Sequence, residues 1–334
     1  MSHVVAGDSS AATKKGRPKA APTPWRPRKQ KKEKPAIPGL RSLNGKWGYL
    51  FIAPFVIMFL IFGLAPVSYS TYVAFFDWDP LGGQTFIGFD NFTYLLQDDV
   101  FWQSIGNTFD IWFWSTFPQM ILSIGLAAVL RNRFLKFKTF WRTVLLVPNI
   151  TSVLAVAIIF GQLFGRDYGM VNFVLSWFGI PHIDFVEEAL PGHIAIAAMI
   201  TWRWFGYNAL IFLASMLAIP DDLYESASLD GAGAWKQFRF VTLPGIRNTI
   251  TFVLIVGTIG GLQVFAEPLT LGGTTTGGDS HQFSTLTLYL YDQAFVVGSW
   301  GYGAAIGIMI TIIVLIISGI NFLLTRQIAG GDND

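Results

Sequence analysis

The sequence predicts an all-α, polytopic membrane protein with six transmembrane helices, on three observations. First, the 334-residue chain is 52% hydrophobic and only 13% charged, with a mean hydropathy of +0.48, whereas a soluble domain carries about 25% charged residues. Second, no Asp, Glu, Lys or Arg occurs between Lys46 and Asp77, Asp110 and Arg131, Arg142 and Arg166, Arg247 and Glu267, or Asp292 and Arg326. Each run is near or above the ~18–20 apolar residues that a spanning helix requires. A sixth segment, His193 to Ile219, has suitable length and hydropathy but contains Arg203. Third, Lys and Arg alternate strictly between the connections.

Residues 1–46 hold 12 of the 23 Lys and Arg and few large apolar residues. Such a segment cannot bury a core, so a disordered basic cytoplasmic tail is expected, one that sets topology and touches anionic lipid. It is too long for a signal-peptide n-region, and no small-residue cleavage site follows the first apolar run. The connection "FFDWDPLGGQTFIGFDNFTYLLQDD" has no Lys or Arg, and "RNRFLKFKTFWR" has 5. "RDYGMVNFVLSWFGIPHIDFVEEALPG" has 1, the next loop adds Lys236, Arg239 and Arg247, and Glu267 to Trp300 has none. By the positive-inside rule both termini and the second and fourth loops are cytoplasmic. The expected organisation is a tail over 1–46, a transmembrane domain over 47–327 with a cytoplasmic loop at 220–247, and a C-terminal cytoplasmic tail over 328–334, in the cell membrane.

The fourth loop contains "YESASLDGAGAWKQFRFVTLP", Tyr224 to Pro244, a charged, glycine-punctuated segment between two apolar runs. Pro220-Asp221-Asp222 reads as a helix start, with acidic residues at the positive end of the dipole. Asp230-Gly231 reads as a turn, Ala232 to Val241 as a second short helix, and Pro244 as its stop. Trp235, Phe238 and Val241 recur on roughly one face. A helix with such a face in the cytosol either folds back on the bundle or docks into a partner's groove.

Arg203 and Asp110 are ionisable residues inside expected spans, at similar depth, so they are functional candidates by default and could pair across the bundle. Arg203 is read either as a structural anchor or as a lining residue of a transport cavity. Asn208, Gln263 and Glu267 are further polar groups in or beside the later spans. Cysteine is absent and the 4 His form no close pair, which excludes a disulfide framework and argues against a zinc enzyme. There is no G-x-x-x-x-G-K-[ST] loop, so ATP is not expected on this chain in that manner.

The run "ESASLDGA" (Glu225 to Ala232), then Phe238 and Leu243-Pro244, resembles the signature loop of ABC-importer permeases, E-A-A-x-x-D-G followed by a helix ending in Leu-Pro. Ser226 stands where that family most often has Ala. "FIGFDNFTYLL", "NTFDIW", "FWRTVLLVPNITS", "YGMVNFVLSWFGI", "LQVFAEP" and "YDQAFVVGSWGYGAAIGIMI" are similar to stretches of its carbohydrate branch. The family's Gly-Gly-Pro is here "LGGTTTGGD". The resemblance covers about residues 47–327. It implies a permease core whose coupling residues are Glu225, Ala227, Asp230, Gly231, Ala232, Trp235, Phe238, Leu243 and Pro244, seated in a cytoplasmic ATPase. It also implies a second permease subunit, an ATPase dimer that holds ATP and Mg, an extracytoplasmic substrate-binding protein and surrounding lipid, with no cofactor in this chain and no nucleic-acid partner. In that family the last three spans supply much of the sugar site. Asp110, Arg203, Asn208, Gln263, Phe265, Glu267 and Tyr291 are then substrate-path candidates, although each aromatic could simply pack between helices. The cargo implied is a disaccharide or short oligosaccharide.

Three alternatives stay open at this point. A non-sugar ABC importer, for amino acids or phosphate, would share the loop. A secondary transporter should show inverted repeats or interrupted helices and has no use for the loop. A membrane-embedded enzyme would need paired carboxylates or a metal site, and no such constellation is evident.

Overall fold

The computed structural model describes residues 46–79, 82–132, 135–166 and 168–329. The expectations for the basic tail up to residue 45 and for residues 330–334 fall outside these. The described residues divide into two units, 46–59 and 60–329. In the first lies α1 (Lys46–Phe59), with Tyr49, Phe51 and Phe55 exposed. A helix apolar on every side suits lipid.

In the second unit, a π turn at Leu60–Leu64 leads into α2 (Ala65–Val73), whose Pro lies in the first turn, where its missing N–H costs nothing. Strands β1 (Phe76–Asp79) and β2 (Gly83–Phe86) pair antiparallel, Phe76 opposite Phe86. This hairpin is a small departure from the all-α expectation. Gly83 adopts φ 100°, which only glycine takes freely. The hairpin rests on the last helix: a Cβ at Gly301 would lie 1.9 Å from the Phe76 carbonyl oxygen.

The helices that follow are α3 (Asp90–Gln97), α4 (Asp99–Arg131), α5 (Lys138–Val144), α6 (Val147–Ile150), α7 (Val153–Leu163) and α8 (Met170–Trp177). Then come α9 (Ala189–Leu217), α10 (Asp221–Leu229), α11 (Ala234–Gln237), α12 (Leu243–Gly245), α13 (Arg247–Gly261), α14 (Ala266–Gly272), α15 (Leu286–Tyr291) and α16 (Trp300–Ala329).

Four helical stretches are long and apolar enough to span: Tyr49–Val73, Asp99–Arg131, Ala189–Leu217 and Trp300–Leu323. The other two expected spans are not single long helices. Within the 142–166 run the helix is broken, Lys138–Ile150 meeting Val153–Leu163 at 91°, and the 247–267 run opens with Arg247–Gly261, which meets the loop segment Ala234–Gly245 at 66°. The 15 residues of α13 reach about 22 Å, short of the ~30 Å hydrocarbon core. Past the break at Leu262–Phe265, α14 continues the path. Non-helical backbone at such depth is tolerated where protein surrounds it, and Leu262 and Val264 are buried.

The central pair is α4 against α9. Ser123, Ala127, Ala195 and Ala209 are buried between them, and small residues let membrane helices approach closely. The pair is further held by Ser123 Oγ donating to Phe205 O at 2.8 Å and Thr201 Oγ1 to Ser115 O at 3.3 Å. At the Asp99 end, Asn107 Nδ2 donates to the carbonyls of His281 and Ser284 at 2.9 and 3.0 Å. Thr108 Oγ1 accepts from Leu286 N at 2.9 Å, and Thr285 Oγ1 donates to Val264 O at 2.7 Å. The His281–Leu286 segment that follows the "LGGTTTGGD" loop is thus stitched onto the bundle. Gly277, at φ 76°, tolerates no side chain: a Cβ would meet Ser284 N at 2.3 Å.

Candidate coupling surface and translocation path

The 220–245 segment forms a helix, a tight turn and a second helix at the Arg131 end of α4. Asp221 and Asp222 occupy the first turn of α10, where negative charge is favoured. The helix closes on a paired motif in which Gly231 N donates to Ser228 O at 3.0 Å and Ala232 N to Ala227 O at 2.9 Å. That closure needs a left-handed residue, and Gly231 has φ 76°. The Asp-Gly of the sequence is therefore a backbone requirement.

Three contacts fix the frame. Gln237 Nε2 donates to Ser228 Oγ at 2.8 Å and to Ala232 O at 3.0 Å, pinning α11 to α10. The Tyr224 and Thr242 hydroxyls bond at 3.0 Å. The Arg131 guanidinium lies 3.8 Å over the Tyr224 ring, with Nη2 3.5 Å from Asp221. Phe238 and Val241 pack against the buried cluster of Phe212, Leu213, Met216 and Ile246.

Two local expectations need correction. Pro244 does not stop the second helix, which runs on to Gly245 and breaks at Ile246. Phe238–Thr242 is wound as a π turn, with Leu243 N donating to Phe238 O. This wider register accommodates a ring that would clash with the carbonyl four residues back in an α-helix. The face of Trp235, Phe238 and Val241 is also divided. Phe238 and Val241 turn inward, while Trp235 stacks on Phe238 at 5.6 Å and stays 73% exposed.

The outward surface thus presents Trp235, Leu229 and Phe240 with the exposed acids Glu225 and Asp230. Gly231 and Pro244 are exposed as well, and Ala227, Ala232 and Leu243 are half-buried. A cleft of about 1320 Å³ opens between this frame and the bundle, lined by Arg131, Lys138, Glu225 and Trp235 among others.

Deeper in the bundle the charge pairing differs from the sequence expectation. Arg203 does not pair with Asp110; its Nη1 donates to Glu267 Oε1 at 3.1 Å, with side chains 14% and 7% exposed. Helix register explains this. Thr201 lies beside Ser115 and Phe205 beside Ser123, and level with Asp110 is His193, whose Nδ1 is 3.5 Å from Asp110 Oδ2. Arg203 is ten residues further along α9, about 15 Å away. Hydropathy located both residues within spans, but only the packing of α4 on α9 sets their relative level.

Arg203 sits midway along the 29-residue α9, and Glu267 in the first turn of α14. Arg203 Nε is buried without a hydrogen-bond partner. Gln263 is exposed at the break before α14, and Asn208 is buried. Phe265 meets Tyr291 edge-on at 5.2 Å, and Tyr291 continues to Phe295 at 5.4 Å. The structure therefore gathers Arg203 with Glu267 and Phe265 with Tyr291, and leaves Asp110 apart. Among the described residues no group of three or more His, Asp or Glu is placed to hold a metal.

Sequence reasoning missed Asp98. It caps α4 and accepts hydrogen bonds from both Tyr289 and Tyr302, joining α4, α15 and α16. The N-cap position before a long helix was its one readable signal.

Missed too was the ion triad closing the 166–188 connection, where Arg166 reaches Asp184 at 2.9 Å and Glu187 at 2.5 Å. Burial pushes the Asp184 carboxyl up, but the Glu187 and Val186 backbone N–H groups and the charges of Arg166 and His182 outweigh it and hold it below its ordinary value. A depressed carboxylate pKa contributes stability above the ordinary range and loses it as pH falls through the folded value. Asp184→Asn is expected to speed amide hydrogen exchange over 184–188 by roughly fivefold to tenfold at neutral pH, the loss of about 1 kcal/mol of hydrogen bonding. Wild type should converge on the variant in strong acid.

A bundle of spanning helices with a buried charge pair at mid-depth and a braced, exposed helix-turn-helix at one end defines a membrane transport component rather than an enzyme. The chain belongs to the family of binding-protein-dependent transport system inner membrane components, whose profile matches residues 119–330. It is 33% identical over 283 residues to the arabinooligosaccharides transport system permease protein AraP of Bacillus subtilis (strain 168), covering 84% of this chain and 89% of that one. It is 34% identical over 284 residues to the lactose transport system permease protein LacF of Rhizobium radiobacter, covering 84% and 94%. Its fold matches the crystal structure of a bacterial ABC transporter involved in the import of the acidic polysaccharide alginate, with a TM-score of 0.73, 26% identity and coverage of 85% and 96%.

Proposed function

We propose that this chain is the permease subunit of an ATP-driven importer that passes a disaccharide or short oligosaccharide, handed over by an extracytoplasmic binding protein, across the cell membrane. The observation that carries the reading is the braced 220–245 frame. Its inner residues are locked to α4, while Trp235, Leu229, Glu225 and Asp230 are left exposed as a docking face for a cytoplasmic ATPase dimer, which supplies ATP and Mg. A second permease completes the path. Relatives named for arabinooligosaccharides and lactose favour a sugar cargo over an amino acid or phosphate, and a related alginate transporter is known in complex with a pentasaccharide-bound periplasmic protein. The Arg131 end of the bundle faces the cytoplasm, and the distribution of Lys and Arg favours the same side for both termini.

In this reading the break before α14 opens the path at mid-depth, as interrupted helices do in transporters. Gln263 offers an amide, Phe265 and Tyr291 offer ring faces, and the Arg203–Glu267 pair holds α14 against α9. Asn208 lies about a turn and a half further along α9, and Asp110 lines the approach nearer the outer end.

Single cysteines test sidedness and docking together. Gln84→Cys and Asp279→Cys are expected to react with an impermeant thiol reagent in intact cells, and Gly233→Cys only after membranes are opened. In inside-out vesicles stripped of the ATPase, Gly233→Cys should react and become protected when the ATPase is restored. Reaction at position 233 in intact cells overturns the sidedness; failure of protection overturns the docking face.

A further inference from the structure

The 220–245 frame is continuous with α9 through Ala218–Pro220 and with α13 through Ile246. A displacement of the frame therefore reaches those two helices along the backbone. No backbone joins it to α4, the other half of the central pair. Between α4 and α10 lies the cleft of about 1320 Å³, with Gly125, Ala128 and Arg131 on one side and Asp221, Tyr224 and Glu225 on the other.

Arg131 crosses that cleft. It is the last residue of α4, its guanidinium stands 3.8 Å over the Tyr224 ring, and its Nη2 is 3.5 Å from Asp221 Oδ1. The two contacts differ in weight. The Asp221 side chain is 88% exposed, so water and salt screen the ion pair. The Arg131 side chain is 21% exposed and the Tyr224 ring is half-buried, and a guanidinium stacked on a ring strengthens as water is withdrawn. The ring is held in turn, because the Tyr224 hydroxyl bonds to Thr242 at 3.0 Å and ties α10 to the second half of the frame. Phe238 and Val241 also pack on the cluster that contains Leu130, but apolar contact is non-directional and allows sliding. The stack fixes one ring to one helix end.

The far end of α4 holds the opposite side of the bundle. Asp98 at its N-cap accepts from Tyr289 and Tyr302, and Asn107 and Thr108 hold the 281–286 segment. From Asp99 to Arg131 α4 is a single helix of 33 residues, unbroken at Pro118. We propose that Arg131 is the positioning residue that passes movement of the docked frame to α4, through its stack on Tyr224 and not through its ion pair with Asp221. The proposal rests on the docking reading above and adds that docking and transmission are separable.

The chain contains no cysteine, and Asp110, near the far end of α4, has a 59% exposed side chain. The rate at which Asp110→Cys reacts with an impermeant thiol reagent is compared with and without a nonhydrolysable ATP analogue, in the transporter assembled with cysteine-free partner subunits. With Arg131 in place the two rates are expected to differ by at least about fivefold. In Arg131→Gln and, independently, in Tyr224→Leu the difference should vanish, while ATP is still hydrolysed and the separate Gly233→Cys label is still protected by the ATPase. Arg131→Lys keeps a cation over the ring, and Tyr224→Phe keeps the ring without its hydroxyl; both should retain most of the difference. A nucleotide-dependent difference that survives Arg131→Gln and Tyr224→Leu overturns the proposal. So does loss of Gly233→Cys protection in those two variants, since Arg131 would then only shape the frame for docking. Failure of protection with Arg131 intact overturns the docking reading itself, and the proposal with it.

Discussion

Arg203→Gln and Glu267→Gln, each alone, are expected to destabilise the protein by about 3–5 kcal/mol, the cost of stranding one member of a buried ion pair. Expression and melting temperature should both fall. The side chains are almost fully buried and 3.1 Å apart, so solvent cannot rescue the survivor. The double variant Arg203→Gln/Glu267→Gln should recover much of the loss, because no lone charge remains. Asp110→Asn should do far less and show no coupling to Arg203, since its neighbour is His193 and its side chain is 59% exposed. If Arg203 instead serves the cargo alone, its replacement will leave melting unchanged, abolish uptake and gain nothing from the Glu267 change.

Gly231→Pro is expected to abolish uptake and transport-linked ATP hydrolysis while the permease still inserts at near-normal levels. Proline is confined to φ near −65°, whereas position 231 needs φ 76° and donates its N–H to Ser228 O. The turn that aims α11 cannot form, and the bundle is untouched. Glu225→Arg should give the same phenotype by another route: Glu225 is exposed and, among the described residues, its side chain makes no hydrogen bond or ion pair, so the reversed charge acts chiefly on the docking partner. A Gly231→Ala variant, strained by about 1 kcal/mol, should fall between. Normal uptake in both severe variants would reduce the 220–245 segment to a connector.

How much of this was legible in the sequence follows from which interactions are local. The spans were readable because lipid demands long uncharged helices, and the Asp230-Gly231 turn because a left-handed residue leaves a residue-type signature. The bend before α7 and the break before α14 were not, because Thr151-Ser152 and Leu262–Phe265 are as uncharged as helix. Gly260-Gly261 was the one local hint of the break, and it reads equally well as close packing; a Cβ at Gly261 would indeed lie 2.6 Å from the Trp112 ring. The Arg203 partner was illegible for a different reason. Depth estimated from span ends carries an error of several residues, and choosing between Asp110 and Glu267 requires the α4–α9 register. Pro244 misled because a preceding π turn absorbs it, and nothing in composition announces a π turn.

A self-sufficient secondary transporter also has interrupted helices, but it takes its energy from an ion gradient, whereas a binding-protein-dependent permease takes it from ATP. The most direct measurement is uptake of a labelled oligosaccharide into vesicles holding the assembled transporter, with binding protein outside and ATP either inside or absent. The account predicts uptake only with ATP on the side of the 220–245 loop, lost in the Gly231→Pro variant and indifferent to a collapsed ion gradient. Uptake that proceeds without ATP and follows the ion gradient would contradict it.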